Sequence, residues 1–179
     1  MEEVTRSSET LYSGKVFTLE RLEVERSDGR VFTRDLVRHS GAVAIVAYVP
    51  DKGFLFVRQF RKALDSITLE LPAGGIDPGE DLETAAAREL EEETGYEAGE
   101  LFYLGAMFPA PGYTDEKISI FYTETSSQPA RLDADDDEEL EIAFLSREDI
   151  EALIKRDELQ DGKTLSGWQM YALSDHGSS

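Results

Sequence analysis

Residues 74–96, GGIDPGEDLETAAARELEEETGY, carry the strongest pattern in this chain of 179 residues. A turn rich in glycine and proline leads into a pattern typical of a helix, which we expect from about Asp81 to Thr94, with Gly95 as its C-terminal stop. Glutamates crowd the last turn and a half of this helix, where each negative charge opposes the helix dipole by roughly 0.3 to 1 kcal/mol. These charges lower the stability of the helix without a local benefit, which is typical of a functional site.

Three of these glutamates converge on one side of the predicted helix. At about 100° per residue, Glu89, Glu92 and Glu93 fall within an arc of about 100°, while Glu91 points to the opposite side. The close pairs repel each other by roughly 0.2 to 0.5 kcal/mol each. Solvated surface charge is the ordinary explanation for a glutamate-rich helix. However, the adjoining glycines permit close backbone approach, and convergent carboxylates supply the hard oxygen ligands that Mg²⁺ or Mn²⁺ prefers.

The composition indicates one acidic globular domain with a full core and room for one active site, because 40% of the residues are hydrophobic. The absence of cysteine excludes disulfides, thiolate nucleophiles and cysteine-ligated zinc. The N-terminal residues have no leader pattern, and no apolar run approaches the roughly 18 residues of a membrane span. We therefore expect a cytoplasmic protein without a membrane partner. The formal net charge of -20 argues against long nucleic acid as a partner.

The order of the predicted elements favours a mixed β-sheet covered by helices. Ahead of the glutamate helix we expect four strands, which form two hairpins across the turns SDG and DKG. After it we expect three more strands and two helices, the first beginning with Ser146 and Asp149 spaced as a capping box. The predicted strands are 15–25, 30–39, 41–50, 54–60, 100–108, 117–124 and 141–145, and the later helices are 146–156 and 164–173.

The spacing of residues 74–96 resembles the signature box of the Nudix hydrolases, which cleave nucleoside diphosphates linked to another moiety. Gly74, Glu80 and the run 88–96 fill every fixed position of that pattern, although Tyr96 stands where the family usually has an aliphatic residue. Beyond the box, the segments ETLYSGKVF, RQFR, LELPAGGID and PAPGYTDE resemble the ADP-ribose pyrophosphatase branch of the family. Pro111 lies about where that branch has a characteristic proline.

This resemblance implies an α/β fold in which a mixed sheet lies in an α/β/α sandwich. It implies a single Nudix hydrolase domain over residues 1–179, with an N-terminal β-rich extension at about 11–38. The implied activity is metal-dependent hydrolysis of ADP-ribose, or a related nucleoside diphosphate sugar, to a nucleoside monophosphate and a sugar phosphate. Two alternatives stay open: a Nudix enzyme for GDP-mannose, a dinucleotide or an oxidised nucleotide, and a Nudix-fold binding module that has lost catalysis.

The resemblance also assigns the metal ligands of the box. It names Glu89, Glu92 and Glu93, with the backbone carbonyl of Ala73, as ligands of Mg²⁺, with Mn²⁺ as the alternative ion. It pairs Glu80 with Arg88, which would hold the loop to the helix.

Substrate contacts are expected from six residues outside the metal set. A guanidinium matches phosphate oxygens bidentately, so Arg61 is the candidate to grip a phosphate. The branch implies a homodimer, and the β-rich run 11–37 has little else to pack on unless it crosses to a partner. In such a dimer Arg34 would hydrogen-bond the ligand and Phe17 would stack on its base. The full set is Phe17, Arg34, Arg61, Gly75, Pro111 and Gly112.

The base that activates water is expected in the acidic run DADDDEELE at residues 133–141, because the helix carboxylates are committed to metal. A carboxylate on a separate loop must reach the reacting water. Glu138 aligns with the loop glutamate of the ADP-ribose pyrophosphatase branch, and Glu139 and Glu92 are the other candidates. A merely solvated acidic loop is the alternative interpretation.

Overall fold

The computed structural model describes residues 2–130 and 140–178. They form two compact units, the first comprising residues up to Gly41 with Phe108–Lys117 and the second comprising Ala42–Met107 with the residues from Ile118 onward. The strands are β1 Glu3–Ser13, β2 Phe17–Arg26, β3 Val31–His39, β4 Ala42–Val49, β5 Gly53–Arg61, β6 Ser66–Glu70, β7 Ala73–Gly75, β8 Phe102–Met107, β9 Ile118–Glu124 and β10 Glu141–Leu145. The helices are α1 Leu82–Thr94, α2 Arg147–Lys155 and α3 Gly162–Leu173, followed by a short 3₁₀ helix at Asp175–Ser178. The assignment of residues 1–179 to one domain remains a prediction.

The second unit is built on a mixed sheet, as predicted. Its strands follow the order β10-β5-β4-β9-β8, with β6 paired to β5 and β7 paired to β4. Only the β4–β9 pair is parallel among the pairings described for this sheet. Within the described residues, no helix is both long enough and apolar enough to cross a membrane.

Two hydrophobic clusters cover the two faces of this sheet. Successive side chains of a strand point to opposite faces, so the apolar run of β4 serves both clusters. Val43 and Ile45 pack in one cluster with Leu90 of α1, whereas Ala44 and Val46 belong to the other cluster with residues of α2 and α3. This arrangement is the predicted α/β/α sandwich.

Helix α1 begins and ends where the sequence predicts. The Asp81 side chain caps its N-terminus by accepting a hydrogen bond of 2.9 Å from the Thr84 amide. Gly95 ends it in the left-handed conformation, with φ of 73°, and donates its N–H to the Glu91 carbonyl at 2.8 Å. The last turn contains no basic residue, so the only helix cation paired with these glutamates in the described residues is Arg88, one turn earlier.

Helices α2 and α3 also match the prediction, with α3 starting slightly earlier than expected. Both hydrogen bonds of the capping box between Ser146 and Asp149 are present at the start of α2. At α3 the cap is Asp161, whose carboxylate accepts the Thr164 amide at 2.9 Å. A Cβ at Gly167 would lie 2.7 Å from a Leu71 methyl group, so glycine lets α3 approach the sheet closely.

The first unit is a three-stranded antiparallel sheet in the order β1-β2-β3. The predicted hairpin of β2 and β3 is confirmed, but β1 was not expected as a strand. Every described residue of β1 is exposed, so the strand shows no apolar period, and it is held by backbone pairing with β2. Ion pairs of Glu3 with Arg26 and Arg34 add to this pairing.

Candidate active site

The loop around β7 and helix α1 form one group of contacting residues, which we call the box cluster: Ala73, Gly74, Gly75, Glu80, Arg88, Glu89, Glu92 and Glu93. Gly74 lies so close to the Glu89 carboxylate that a Cβ at position 74 would overlap it. Only glycine leaves room for this side chain, because it has no Cβ of its own. The close approach of the loop to helix α1 therefore explains why position 74 is glycine.

Arg88 ties the loop to the helix. Its Nε donates to Oε1 of Glu80 and its Nη2 donates to Oε2 of Glu80, both at 2.9 Å, which confirms the expected pair. Nη2 also donates to the Gly75 carbonyl at 2.9 Å. The hydrogen bond with Glu80 raises the pKa of Arg88 and lowers the pKa of Glu80. Gly75, a predicted substrate contact, thus serves within the box cluster as a hydrogen-bond acceptor.

Two of the three carboxylates that were predicted to converge meet in the box cluster. Nη1 of Arg88 donates to Glu89 at 2.7 Å and to Glu92 at 2.9 Å, so one cationic nitrogen reaches both side chains. Burial raises the pKa of Glu89, although Arg88 opposes this effect. Glu93 accepts a hydrogen bond of 3.1 Å from the Ala73 amide, which places these two predicted ligands side by side.

The side chains of the box cluster are engaged with protein groups. Within residues 2–130 and 140–178, no three acidic or histidine side chains are grouped as a metal site as they stand. The physical reason is that Arg88 bonds Glu89 and Glu92, and the Ala73 amide bonds Glu93. The donor chemistry nevertheless fits a hard divalent cation, because the carboxylates already converge on a positive centre beside a backbone loop.

A second charged group, which we call the Glu70 cluster, consists of Arg61, Thr68, Glu70, Asp161 and Lys163. Arg61 donates from Nε to Oε1 of Glu70 at 2.8 Å and from Nη2 to Oε2 at 2.6 Å. Lys163 forms an ion pair with the same Oε2 and another with Asp161 at 3.1 Å. Burial raises the pKa of Glu70, but the hydrogen bond from Arg61 and the charge of Lys163 outweigh it and lower the pKa to about 2.

The sequence analysis named only Arg61 from the Glu70 cluster. Glu70 and Lys163 were missed, although the position of Glu70 between Leu69 and Leu71 could have indicated a buried charge. A charged residue in such a position needs a partner when it is buried. The partner itself could not be found from local pattern, because Lys163 is far away in the chain.

Phe17 and Arg34, two of the predicted substrate contacts, lie in the first unit. Arg34 bonds Glu3 at 2.7 Å and 3.2 Å, and its guanidinium lies 5.6 Å from the ring centre of Phe32. Phe17 is exposed, with its ring centre 5.7 Å from that of Tyr12. Both side chains are thus held at the surface of the three-stranded sheet.

The segment Phe108–Lys117, which carries Pro111 and Gly112, is attached to β3. The Val37 amide donates to the Tyr113 carbonyl at 2.8 Å, and the Asp115 carboxylate accepts from the His39 amide at 2.9 Å. Arg38 adds a bond to Asp115 at 3.0 Å. The segment therefore has a defined path along β3.

The predicted bases Glu138 and Glu139 lie outside the described residues. The third candidate base, Glu92, is the most exposed of the three box glutamates that were predicted as metal ligands, with its side chain bonded to Arg88.

Comparisons with known proteins agree on one family. The model of the NUDIX domain matches residues 38–166. An ADP-ribose pyrophosphatase of Bacillus subtilis (strain 168) is 38% identical over 176 residues, covering 98% of this chain and 95% of that protein. A methanol dehydrogenase activator of Bacillus methanolicus is 35% identical over 175 residues, and the match covers 97% of this chain and 95% of that protein. A crystal structure of an ADP compounds hydrolase superposes with a TM-score of 0.81 at 26% identity, covering 95% of this chain and 92% of that chain.

Proposed function

This chain belongs to the NUDIX domain family, and from that premise we propose that it hydrolyses the pyrophosphate bond of ADP-ribose or a related nucleoside diphosphate sugar. The products are a nucleoside monophosphate and a sugar phosphate. Two similar proteins, an ADP-ribose pyrophosphatase and an ADP compounds hydrolase, support this substrate class, since each aligns with nearly the whole chain.

The observation that carries the proposal is the geometry of the box cluster. Glu89 and Glu92 converge on one nitrogen of Arg88, and Gly74 lets the loop lie against Glu89. A helix end that gathers acidic side chains at a cost in stability is explained if those side chains hold a cation. Hydrophobic packing does not explain why these acidic side chains gather at the helix end, because their carboxylates make polar contacts.

The metal proposal rests on the donor set of the box cluster. We assign Glu89, Glu92, Glu93 and the carbonyl of Ala73 as the groups that would hold Mg²⁺, with Mn²⁺ as the alternative. Such an ion supplies Lewis-acid stabilisation of the negative charge on phosphate oxygens. Arg88 already stabilises this arrangement through Glu80, which keeps the loop and the helix end together.

Recognition of the substrate is assigned to four residues outside the metal set. Arg61 is proposed to bind a phosphate, and Gly75 to contact it through the loop backbone. Pro111 and Gly112 are proposed to contact the ligand from the segment that follows β8. The proton acceptor for the attacking water is proposed to be Glu138, with Glu139 and Glu92 as the alternatives.

A homodimer and a cytoplasmic location complete the proposal. All eleven residues of β1 are exposed, and an edge strand presents unpaired N–H and C=O groups that can pair with another chain. Within such a dimer we assign Arg34 and Phe17 to ligand contacts. Light scattering at the assay concentration tests this part, and a fully active monomer would contradict it.

The experiment that tests the function is a substrate panel assayed for released monophosphate with and without Mg²⁺. The panel comprises ADP-ribose, GDP-mannose, a dinucleotide and an oxidised nucleotide, and the Glu93→Gln variant serves as the inactive control. We expect metal-dependent release, fastest from ADP-ribose. Preference for GDP-mannose, the dinucleotide or the oxidised nucleotide would favour the other Nudix enzyme, and no release at all would favour a binding module.

A further inference from the structure

Glu70 is the centre of the Glu70 cluster, and its whole carboxylate is engaged. Oε1 accepts hydrogen bonds from Arg61 at 2.8 Å and from Thr68 at 2.5 Å, while Oε2 accepts from Arg61 at 2.6 Å and from Lys163. Glu70 is only 3% exposed, whereas the Arg61 side chain is 41% exposed. The pair therefore has a buried carboxylate at one end and an accessible guanidinium at the other.

The bonds between Glu70 and Arg61 fix the plane of the guanidinium. Two parallel N–H···O bonds between a guanidinium and a carboxylate define both distance and orientation, which a single bond does not. They use Nε and Nη2 of Arg61, so Nη1 is not committed to Glu70. The arginine can thus keep its carboxylate partner while it presents another N–H edge to an anion.

Helix α3 holds Glu70 in turn. Lys163, whose side chain is only 12% exposed, bonds both Glu70 and the helix cap Asp161. Thr164 of the same first turn accepts a hydrogen bond of 2.9 Å from the Leu71 amide. The start of α3 therefore fixes the end of β6 at two successive residues.

The Glu70 cluster also lies within electrostatic reach of the box cluster. The hydrogen bond with Glu70 raises the pKa of Arg61 against the effect of burial, and the charges of Asp161 and Glu93 add to this effect. Glu93 is the box glutamate that accepts the Ala73 amide. The chain runs from Glu70 through Leu71 directly to that alanine, so the same segment carries both clusters.

We propose that Glu70 is a positioning residue that orients Arg61 for a phosphate of the substrate, while Lys163 and Thr68 hold Glu70 in place. This inference rests on the proposed function, because it requires a phosphate-containing substrate at Arg61. Its physical basis is preorganisation: an arginine that is already oriented loses little side-chain freedom when the substrate binds. Without Glu70 the guanidinium would sample other rotamers, and each productive encounter would include the cost of ordering it.

The test is a double-mutant cycle with two readouts, steady-state kinetics with Mg²⁺ and binding of ADP-ribose by calorimetry in EDTA. The proteins are the wild type, Glu70→Gln, Arg61→Met and the double variant. Loss of an oriented, charge-assisted contact should lower kcat/KM roughly 10- to 100-fold in Glu70→Gln, mainly through KM, with a similar loss of affinity in EDTA. In the Arg61→Met background, Glu70→Gln should change both readouts less than about threefold, since its effect acts through Arg61.

The matched control is Glu158→Gln, which removes the carboxylate of another two-bond pair, formed with Arg156 at 3.1 Å for both bonds and exposed to solvent. Its kinetics should equal those of the wild type. If Glu70→Gln fails to fold, Thr68→Val replaces it in the cycle, because it removes one bond to Glu70 but retains the charge. That variant should lower kcat/KM by a smaller factor and only when Arg61 is present.

Two outcomes would overturn the inference in different ways. Equal losses from Glu70→Gln in the presence and absence of Arg61 would show a structural role for Glu70 and leave the proposed function intact. A wild type that neither binds nor hydrolyses any nucleoside diphosphate sugar would refute the proposed function, and the positioning role with it. Coupling between the two positions in both readouts supports the role.

Discussion

Acidification should remove the stabilisation that the ionised Glu70 gives to the second unit. The pKa of Glu70 is lowered from its ordinary value of 4.5 to about 2 in the folded chain, although burial acts in the opposite direction, because Arg61 and Lys163 surround the carboxylate. A lower pKa in the folded than in the unfolded chain means that ionisation stabilises the fold above about pH 4.5. This contribution is lost as the pH falls from 4.5 towards 2.

The magnitude follows from the interval between the two pKa values. At about 1.4 kcal/mol per pH unit, the interval corresponds to about 3 kcal/mol of unfolding free energy. Glu70 is almost fully buried but its partner Arg61 is 41% exposed, so solvent screens part of the interaction and about 3 kcal/mol is an upper value. A contribution of this size is a large fraction of the stability of an ordinary domain, which is roughly 5 to 15 kcal/mol.

Urea unfolding followed by the fluorescence of Trp168 measures this contribution. Trp168 is the only tryptophan of the chain and is buried in the second unit. The free energy of unfolding of the wild type is compared with that of Glu70→Gln in EDTA from pH 7 to pH 2.5. We expect the difference between the two proteins to be largest at pH 7 and to shrink by about 2 to 3 kcal/mol on acidification.

Glu158→Gln is again the control, because its exposed ion pair should contribute roughly 0 to 1 kcal/mol. This variant should follow the wild type at every pH. A difference between wild type and Glu70→Gln that stays constant from pH 7 to pH 2.5 would refute the reasoning. It would mean that the substitution acts through packing or bond geometry and that the charge of Glu70 adds nothing.

Three further substitutions test the candidate site. Gly74→Ala should abolish turnover with little change in melting temperature, because its Cβ displaces Glu89, and Gly162→Ala, where a Cβ meets nothing, should remain active. Glu93→Gln should abolish turnover without loss of stability, since it removes the charge of a proposed metal ligand and relieves repulsion at the helix end; near-normal kcat at saturating Mg²⁺ would contradict this. Glu138→Gln should lower kcat by roughly 10² with little change in KM, and an unchanged kcat would exclude it as the base.

Much of the fold could be predicted from the sequence because its signals are local. Helix α1 has an aspartate cap, a glycine stop and an apolar face, and each of these acts within a few residues of the others. The apolar run of β4 indicated a strand buried on both faces. Strand β1 lacks such signals, since its residues are polar or exposed and its existence depends on pairing with β2. Backbone pairing with a neighbouring strand leaves no hydrophobic periodicity in the sequence when neither face of the strand is buried.

The same division applies to the candidate site. Helical spacing predicts that Glu89, Glu92 and Glu93 converge; Glu89 and Glu92 meet at Arg88 as expected, whereas Glu93 bonds the Ala73 amide. The Glu70 cluster depends on contact between the end of β6 and the start of α3. Nothing near Glu70 in the sequence identifies Lys163 as its partner. Only the fold brings the two charges together.

The two clusters differ in how far their negative charge is compensated, which matters in an acidic protein with a proposed anionic substrate. In the box cluster a single arginine, Arg88, faces Glu80, Glu89 and Glu92, so negative charge remains in excess, which attracts a cation but repels a pyrophosphate. In the Glu70 cluster the buried carboxylate is surrounded by Arg61 and Lys163, so its negative charge is fully compensated and faces the interior. The arrangement keeps an accessible guanidinium ionised and oriented beside an acidic site. Without Glu70, the guanidinium of Arg61 would be attracted to the glutamates of the box cluster. Those glutamates are the groups proposed to bind the metal ion. The pairing with Glu70 would therefore leave Arg61 available to the phosphate that we propose it binds.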